Sequence, residues 1–241
     1  MTEEVIVTQG PARVIHTLLF ALLLAAMASA QSRPGEWLTL NAGDFCVTEG
    51  NLEKGPGDRL SVSVPKMRAY VSRATASSAE IRFRYAGPTK QESKLGSGQV
   101  RTQFGLKLQA QDPCNLVYVM WRIEPESKLV VSVKRNPSER TSAQCGNRGY
   151  TNIKPSKASP VPRLGAGQSH TLRAEMKEQE LRVFVDNKEV WEGNLGSDAA
   201  RLQGPVGIRS DNAQLEFSYL ARKSAGIAPT YVMACKSGDS D

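Results

Sequence analysis

A short segment, residues 115–124, carries side chains that could bind a sugar. An aromatic ring can stack on a flat sugar face, and a planar guanidinium group can form paired hydrogen bonds with it. In a strand, Tyr118 and Arg122 share one face and Trp121 lies on the other, because side chains alternate. We expect Tyr118 and Arg122 to face a groove, since a buried arginine would need a partner. With polar side chains from the expected neighbouring strands, the candidate ligand-binding residues are Arg82, Arg84, Gln103, Lys107, Tyr118 and Arg122.

These side chains also suit an ordinary solvated sheet surface, and that alternative stays open. Arg82 and Arg84 alternate with Ile81, Phe83 and Tyr85. The alternation predicts a half-buried strand whose arginines point outward.

The carboxylates and the histidine do not form a recognisable catalytic arrangement. Glu175, Glu178 and Glu180 are close in sequence, but the last two fall where a turn between strands is expected. His170 begins a predicted strand, which favours a structural role. The sequence contains no Gly-x-Ser-x-Gly nucleophile motif and no glycine-rich phosphate loop. No catalytic site is therefore evident.

No cofactor is expected, although calcium stays possible because carboxylates are its usual ligands. The conceivable calcium ligands are Asp44, Asp112 and Asp211. Their spacing does not match an EF-hand loop.

The N-terminal segment, residues 1–30, has the pattern of an export signal. No charged residue occurs between Val14 and Ser32, and the apolar stretch 18–26 is too short to span a bilayer. It ends in Ala28-Ser29-Ala30, a small-residue cleavage pattern, so we predict removal after Ala30. An uncleaved anchor is the alternative. The mature protein is expected to be secreted or periplasmic, with no membrane span.

The four cysteines favour the same location, because disulfides persist in oxidising compartments. Three pairings are possible on paper. The ends of a sandwich are often neighbours, so we prefer Cys46–Cys235 together with Cys114–Cys145. No C-x-x-C pair is present, which argues against zinc. The net charge of +7 favours anionic partners such as an acidic envelope polymer, while the lack of an arginine-rich tract argues against nucleic acid.

Period-two alternation recurs along the chain and predicts antiparallel strands. Residues 115–124 and 129–133 read as a hairpin, and further strands are predicted at 171–176, 181–185, 189–191, 206–208 and 214–219. Residues 87–98 and 136–167 read as long loops. We therefore predict one β-sandwich domain over residues 31–222, followed by a polar tail, 223–241, tethered at Cys235.

Several of these segments resemble a known superfamily. Residues 105–112, 115–118 and 129–134 look like central hairpins of the concanavalin A-like lectin/glucanase superfamily. Residues 170–174, 181–191 and 204–212 are similar to the closing strands of laminin-G-like jelly rolls and of 3-keto-disaccharide hydrolases. The resemblance implies an all-β jelly roll of two curved antiparallel sheets whose concave face binds carbohydrate in many members.

Two functions follow from that resemblance. The first is an exported carbohydrate- or envelope-binding module, favoured because the Glu-x-Asp-x-Glu strand of retaining glucanases is missing here. The second is a glycoside-cleaving enzyme resembling the 3-keto-disaccharide hydrolases, in which Asp112, Glu124 or Asp211 would supply the acids. A structural envelope protein without a small ligand is a third possibility.

Overall fold

The computed structural model describes residues 36–72, residues 76–223 and Cys235. The predicted signal segment, 1–30, and most of the predicted tail, 223–241, lie outside these residues. The helical elements described are α1 (Ser142–Cys145), α2 (Gly196–Ala200) and two 3-10 turns at 42–44 and 56–58. The strands are β1 (Trp37–Leu40), β2 (Phe45–Glu49), β3 (Glu53–Lys54), β4 (Leu60–Val62), β5 (Lys66–Val71), β6 (Ala76–Pro88), β7 (Thr102–Asp112), β8 (Asn115–Glu124), β9 (Lys128–Lys134), β10 (Tyr150–Asn152), β11 (Lys157–Ala158), β12 (Ser169–Lys177), β13 (Glu180–Val185), β14 (Lys188–Asn194), β15 (Gly207–Asp211) and β16 (Ala213–Lys223).

These strands form two antiparallel sheets that pack as a sandwich, which confirms the predicted fold class. The larger sheet has the order β11-β14-β13-β12-β6-β16-β4-β3, with β1 also paired to β16. The smaller sheet has the order β10-β9-β8-β7-β15-β5-β2. The predicted hairpin is β8–β9, in which Arg122 lies opposite Lys128 and Leu116 opposite Lys134.

The core lies between the sheets and is built from the apolar members of the alternating strands. Phe83 of β6 packs on Phe104 of β7 and on Trp121 of β8, at ring-centroid distances of 4.5 and 5.7 Å. All three rings are at most 2% exposed. Burial of one aromatic side chain of this size stabilises the fold by about 2–3 kcal/mol. Contacts between these rings therefore help to hold the two sheets together.

Turns between strands follow the local chemistry of the sequence. Asp186 and Asn187 join β13 to β14 with φ values of 50° and 64°, a left-handed conformation that these residue types tolerate. The region 136–167 is only partly a loop, because it contains α1, β10 and β11. The loop prediction is wrong at those positions, since two- and three-residue edge strands are too short to show an alternating pattern and depend on pairing with β9 and β14.

Both cysteine pairs that we preferred on sequence grounds are present as disulfides. Cys46 of β2 bonds Cys235, and Cys114 bonds Cys145 at the end of α1. Two disulfides are typical of proteins from oxidising compartments. Among the described residues, no helix is both long and apolar enough to cross a membrane.

Candidate functional site

A cleft of about 700 Å³ lies on the face of the smaller sheet that points away from the core. Its walls come from residues 95–101, before β7, and from residues 142–147, around α1. Its floor is lined by Gln103, Tyr118, Met120, Arg122, Ser132 and Arg209, and Tyr150 and Asn152 stand at its edge on β10.

Strand register places four of the six candidate residues on this face. Gln103 lies opposite Arg122, and Lys107 opposite Tyr118, across the β7–β8 pair. Trp121 has the other parity and is fully buried in the core, as the alternation predicts. Lys107 is itself 2% exposed, so it supports the floor rather than lining the cleft.

Arg82 and Arg84 are not part of this face. Both lie on β6, which pairs with β12 and β16 in the larger sheet. Our placing of them on a neighbour of β8 is therefore wrong. Alternation correctly turns them outward, but it carries no information about which sheet a strand joins. Each is engaged locally, Arg82 with Glu80 at 2.6 Å and Arg84 with Glu216 at 3.7 Å.

A buried ion cluster underlies the centre of the floor. The carboxylate of Asp211 accepts hydrogen bonds from Arg68, from Arg209 at 2.9 Å and from the side-chain amide of Gln103 at 2.7 Å. Glu49 lies 3.9 Å from the Arg68 guanidinium. Burial alone would raise the pKa of Asp211, but Arg209 and Arg68 outweigh it and hold that pKa well below its ordinary value of 3.8.

The cluster fixes a cation beneath the aromatic part of the cleft. The Arg209 guanidinium lies over the Tyr118 ring, 5.2 Å from its centroid. Burial would lower the pKa of Arg209, but Asp211 and the two tyrosines facing it, Tyr118 and Tyr150, raise it above the ordinary value. Arg209 therefore stays charged, and its position is set by the Asp211 carboxylate.

Tyr118 and Tyr150 form an aromatic stack that rises from the floor to the cleft edge. Their ring centroids are 5.9 Å apart with an interplanar angle of 24°, and the Lys134 ammonium lies 5.1 Å from the centroid of Tyr150. Tyr118 is 1% exposed, whereas Tyr150 is 37% exposed. Tyr150 is thus the aromatic surface that a ligand in the cleft can reach.

The wall around α1 is held in place by covalent and polar contacts to the β7–β8 turn. The Cys114–Cys145 disulfide joins the two segments directly. Asp112 accepts hydrogen bonds from the Asn115 side chain at 2.8 Å and from Arg140 at 3.1 Å, and burial raises the pKa of Asp112. The Asn115 amide also donates to the Glu139 carbonyl at 2.9 Å.

The opposite wall is held by one buried side chain. Asn212, which follows β15 with φ of 53°, donates from its side-chain amide to the carbonyls of Ser93 at 3.0 Å and Arg101 at 2.9 Å. Its side-chain oxygen accepts from the Ser93 amide at 2.8 Å. The backbone of Arg101 is therefore fixed relative to the floor.

The acids considered for catalysis do not meet in the cleft. Among the described residues that line it, Glu49 supplies the carboxylate. Asp211 is neutralised by arginines beneath the floor, Asp112 is bound to the wall, and Glu124 ends β8. Most glycoside hydrolases use two carboxyl groups about 5–10 Å apart, and the described lining of this cleft contains one, that of Glu49.

His170 and Asp44 lie away from the cleft, whereas the other two conceivable calcium ligands are bound at its wall (Asp112) and beneath its floor (Asp211). His170 is on β12 in the larger sheet, where its Nδ1 is 2.6 Å from the Asp186 carboxylate. Asp44 accepts from the Asn41 amide at 2.9 Å and is separate from Asp112 and Asp211. In the part of the chain that the structure describes, no three metal-ligating side chains come together.

The fold is similar to that of solved carbohydrate-active proteins. A carbohydrate-binding module from Bacillus subtilis has a TM-score of 0.50 and 12% identity, over 80% of this chain and 98% of that chain. A domain of an extracellular arabinanase from Geobacillus stearothermophilus, solved with arabinotriose, has a TM-score of 0.42 and 10% identity, over 74% and 82%. A transglycosylase in complex with NAG has a TM-score of 0.46 and 14% identity, over 80% and 88%.

At these sequence identities the similarity shows the fold alone. The structure that supports the fold is the Bacillus subtilis module, with its TM-score of 0.50. No protein-family model matches the chain, and no curated protein matches it in sequence. One fold hosts many functions, so the function depends on the chemistry of the cleft.

Proposed function

We propose that the protein is an exported, non-catalytic carbohydrate-binding module whose ligand occupies the cleft on the smaller sheet. The observation that carries this proposal is the Tyr118–Tyr150 stack beside the polar side chains of Arg122, Ser132 and Asn152. A sugar ring presents C–H groups on its faces and hydroxyl groups around its edge. A binding site therefore needs a flat aromatic surface for the face and hydrogen-bonding groups for the hydroxyls.

Rigidity of the cleft supports binding. The floor is strand backbone held by the Asp211 cluster, and both walls are fixed to it, one by the Cys114–Cys145 disulfide and one by Asn212. A preorganised site loses less conformational entropy when the ligand binds. The lining thus suits recognition of a saccharide that enters a preformed groove.

Assignment to the concanavalin A-like lectin/glucanase superfamily, among the laminin-G-like jelly rolls, is part of the same proposal. Its support is the two-sheet architecture together with the position of the groove. The export part rests on the two disulfides and on the apolar N-terminal pattern of the sequence. The partner is then an extracellular or envelope polysaccharide.

A glycan array tests the proposal, with wild type, Tyr150→Ala and Tyr150→Phe compared and with the saccharides checked for cleavage by mass spectrometry. We expect wild type to bind, Tyr150→Phe to bind nearly as well because it keeps the ring, and Tyr150→Ala to bind about tenfold more weakly. Cleaved saccharides would contradict the non-catalytic assignment. Equal binding by all three proteins would place the ligand outside the cleft.

A further inference from the structure

Two arginine side chains converge at one end of the cleft. Arg101 of the wall and Arg122 of β8 both line the cleft and also an adjoining hollow of about 420 Å³. Arg122 in addition lines a third hollow of about 280 Å³ that leads toward Asn152 and Trp191. Arg122 therefore borders all three hollows.

Neither guanidinium group forms a salt bridge with an acidic side chain among the described residues, although Glu126 attracts Arg122 from a greater distance. Arg101 donates to the Gln99 side chain, a neutral acceptor. The Nε of Arg122 is buried and has no hydrogen-bond partner in the described part of the chain. Glu126, which faces the same hollow, is paired with Lys128.

The floor arginines show the contrast. Arg68 and Arg209 are also removed from water, but each is bound to the carboxylate of Asp211. At the Arg101–Arg122 end, the described carboxylate is that of Glu126, which is ion-paired with Lys128 rather than with either arginine. Burial, and then the positive charge of Arg101, lower the pKa of Arg122 against an opposing effect of Glu126.

A half-buried cation beside a second cation is electrostatically unfavourable until an anion arrives. A carboxylate suits this place best, because its two oxygens match the planar donors of guanidinium groups. Desolvation by the surrounding strands strengthens such hydrogen bonds relative to those in water.

We propose that Arg101 and Arg122 form a subsite for the carboxylate of an acidic saccharide, so that the ligand of the cleft contains uronic acid. This inference rests on the proposed function and narrows its ligand class. Arg122 is held by its strand and Arg101 through its backbone contact with Asn212, so the two side chains approach the carboxylate from the floor and from the wall.

Isothermal titration calorimetry tests the subsite with uronic acid oligosaccharides, namely galacturonate, mannuronate and glucuronate oligomers, each paired with its carboxyl-reduced neutral counterpart. We expect at least one acidic oligomer to bind about 10- to 100-fold more tightly than its reduced form. Raising the salt from about 0.05 to about 0.5 M should remove much of that difference, because the Debye length shortens.

Variants locate the discrimination. Arg122→Gln and Arg101→Gln should each lower the ratio of the acidic affinity to the neutral affinity about tenfold or more, because only the acidic form carries the carboxylate. Arg122→Lys should retain part of the acidic preference, because lysine keeps the positive charge but lacks the planar pair of hydrogen-bond donors. Arg59→Gln, a matched loss of one exposed arginine beside the larger sheet, should change neither affinity. Thermal unfolding of each variant confirms that it is folded.

The outcomes separate this inference from the proposed function. Equal binding of acidic and neutral oligomers that still depends on Tyr150 would refute the carboxylate subsite and leave the binding module intact. Tighter binding of a sulfated neutral glycan than of every uronate oligomer would refute the assignment to carboxylate. Failure of every oligosaccharide to bind would refute both.

Discussion

Replacement of Asp211 by asparagine would remove the one carboxylate shared by Arg68, Arg209 and Gln103. The side chain of Asp211 is 1% exposed and that of Arg68 is 2% exposed, so water cannot replace the lost contact. Removing one partner of a buried ion pair costs about 3–5 kcal/mol. We therefore expect the variant to lose a fifth or more of its unfolding free energy, for a typical total of about 5–15 kcal/mol.

Urea unfolding followed by circular dichroism measures this loss. With an m-value of about 2 kcal/mol per molar urea, a loss of about 4 kcal/mol lowers the midpoint by about 2 M. Asp198→Asn, which changes an exposed acid on α2, is the matched control and should shift stability by less than about 0.5 kcal/mol. A midpoint shift for Asp211→Asn as small as that of the control would refute the view that the floor depends on this cluster.

The pH dependence provides a second test of the same cluster. The folded-state pKa of Asp211 lies below its ordinary value of 3.8, so its contribution is fully present above that pH. The contribution is lost as the pH falls from there toward the folded-state pKa. Wild type should therefore lose stability below about pH 4 more steeply than Asp211→Asn, and the difference between the two proteins should be constant from about pH 5 to 7. A difference that changes across pH 5–7 would show that another group titrates in its place.

Three further changes probe the frame of the cleft. Replacing both Cys114 and Cys145 by serine removes a disulfide between residues 31 positions apart and should lower the unfolding free energy by about 3–4 kcal/mol in thermal unfolding. Saccharide binding should weaken as well, and unchanged binding would show that this wall does not contribute to it. Gly105→Ala should cost about 1–3 kcal/mol in urea unfolding, because its Cβ would lie 2.0 Å from the Val119 carbonyl oxygen, and a neutral result would refute that packing. Asn212→Gly keeps the positive φ but loses the side-chain hydrogen bonds, so it should cost about 1–3 kcal/mol and reduce affinity in calorimetry; full affinity would show that the other wall is held without Asn212.

Alternation within single strands predicted much of the candidate site. It placed Trp121 in the core and Tyr118 and Arg122 on the opposite face, because a strand has only two faces. It failed for Arg82 and Arg84, since membership of a sheet depends on pairing between distant strands. The two observed disulfide pairs were the preferred ones among three possible pairings, because the chain ends of a sandwich are expected to lie close together.

Two kinds of residue could not be found from the sequence. Some lie in segments that were interpreted as loops, and others form contacts between strands that are far apart in the sequence. Tyr150 belongs to a three-residue edge strand, and Arg101 to a wall that Asn212 positions from more than a hundred residues away. The cluster of Arg68 with Asp211 likewise joins β5 to β15 across the sequence. In the sequence, the signal for Tyr150 was its position five residues after Cys145. A disulfide from Cys145 to Cys114 would bring this part of the long loop close to the sheet.

Whether the saccharide occupies the cleft can be read from amide and arginine side-chain NMR shifts of the oxidised protein, titrated with the tightest-binding oligosaccharide. We expect the largest shifts at Arg122, Ser132, Tyr150 and Asn152, which surround the cleft. We expect no shifts at Arg82 and Arg84, which lie on the outer face of the larger sheet. The opposite pattern, with shifts at those arginines and none around Tyr150, would contradict the assignment of the cleft as the carbohydrate site.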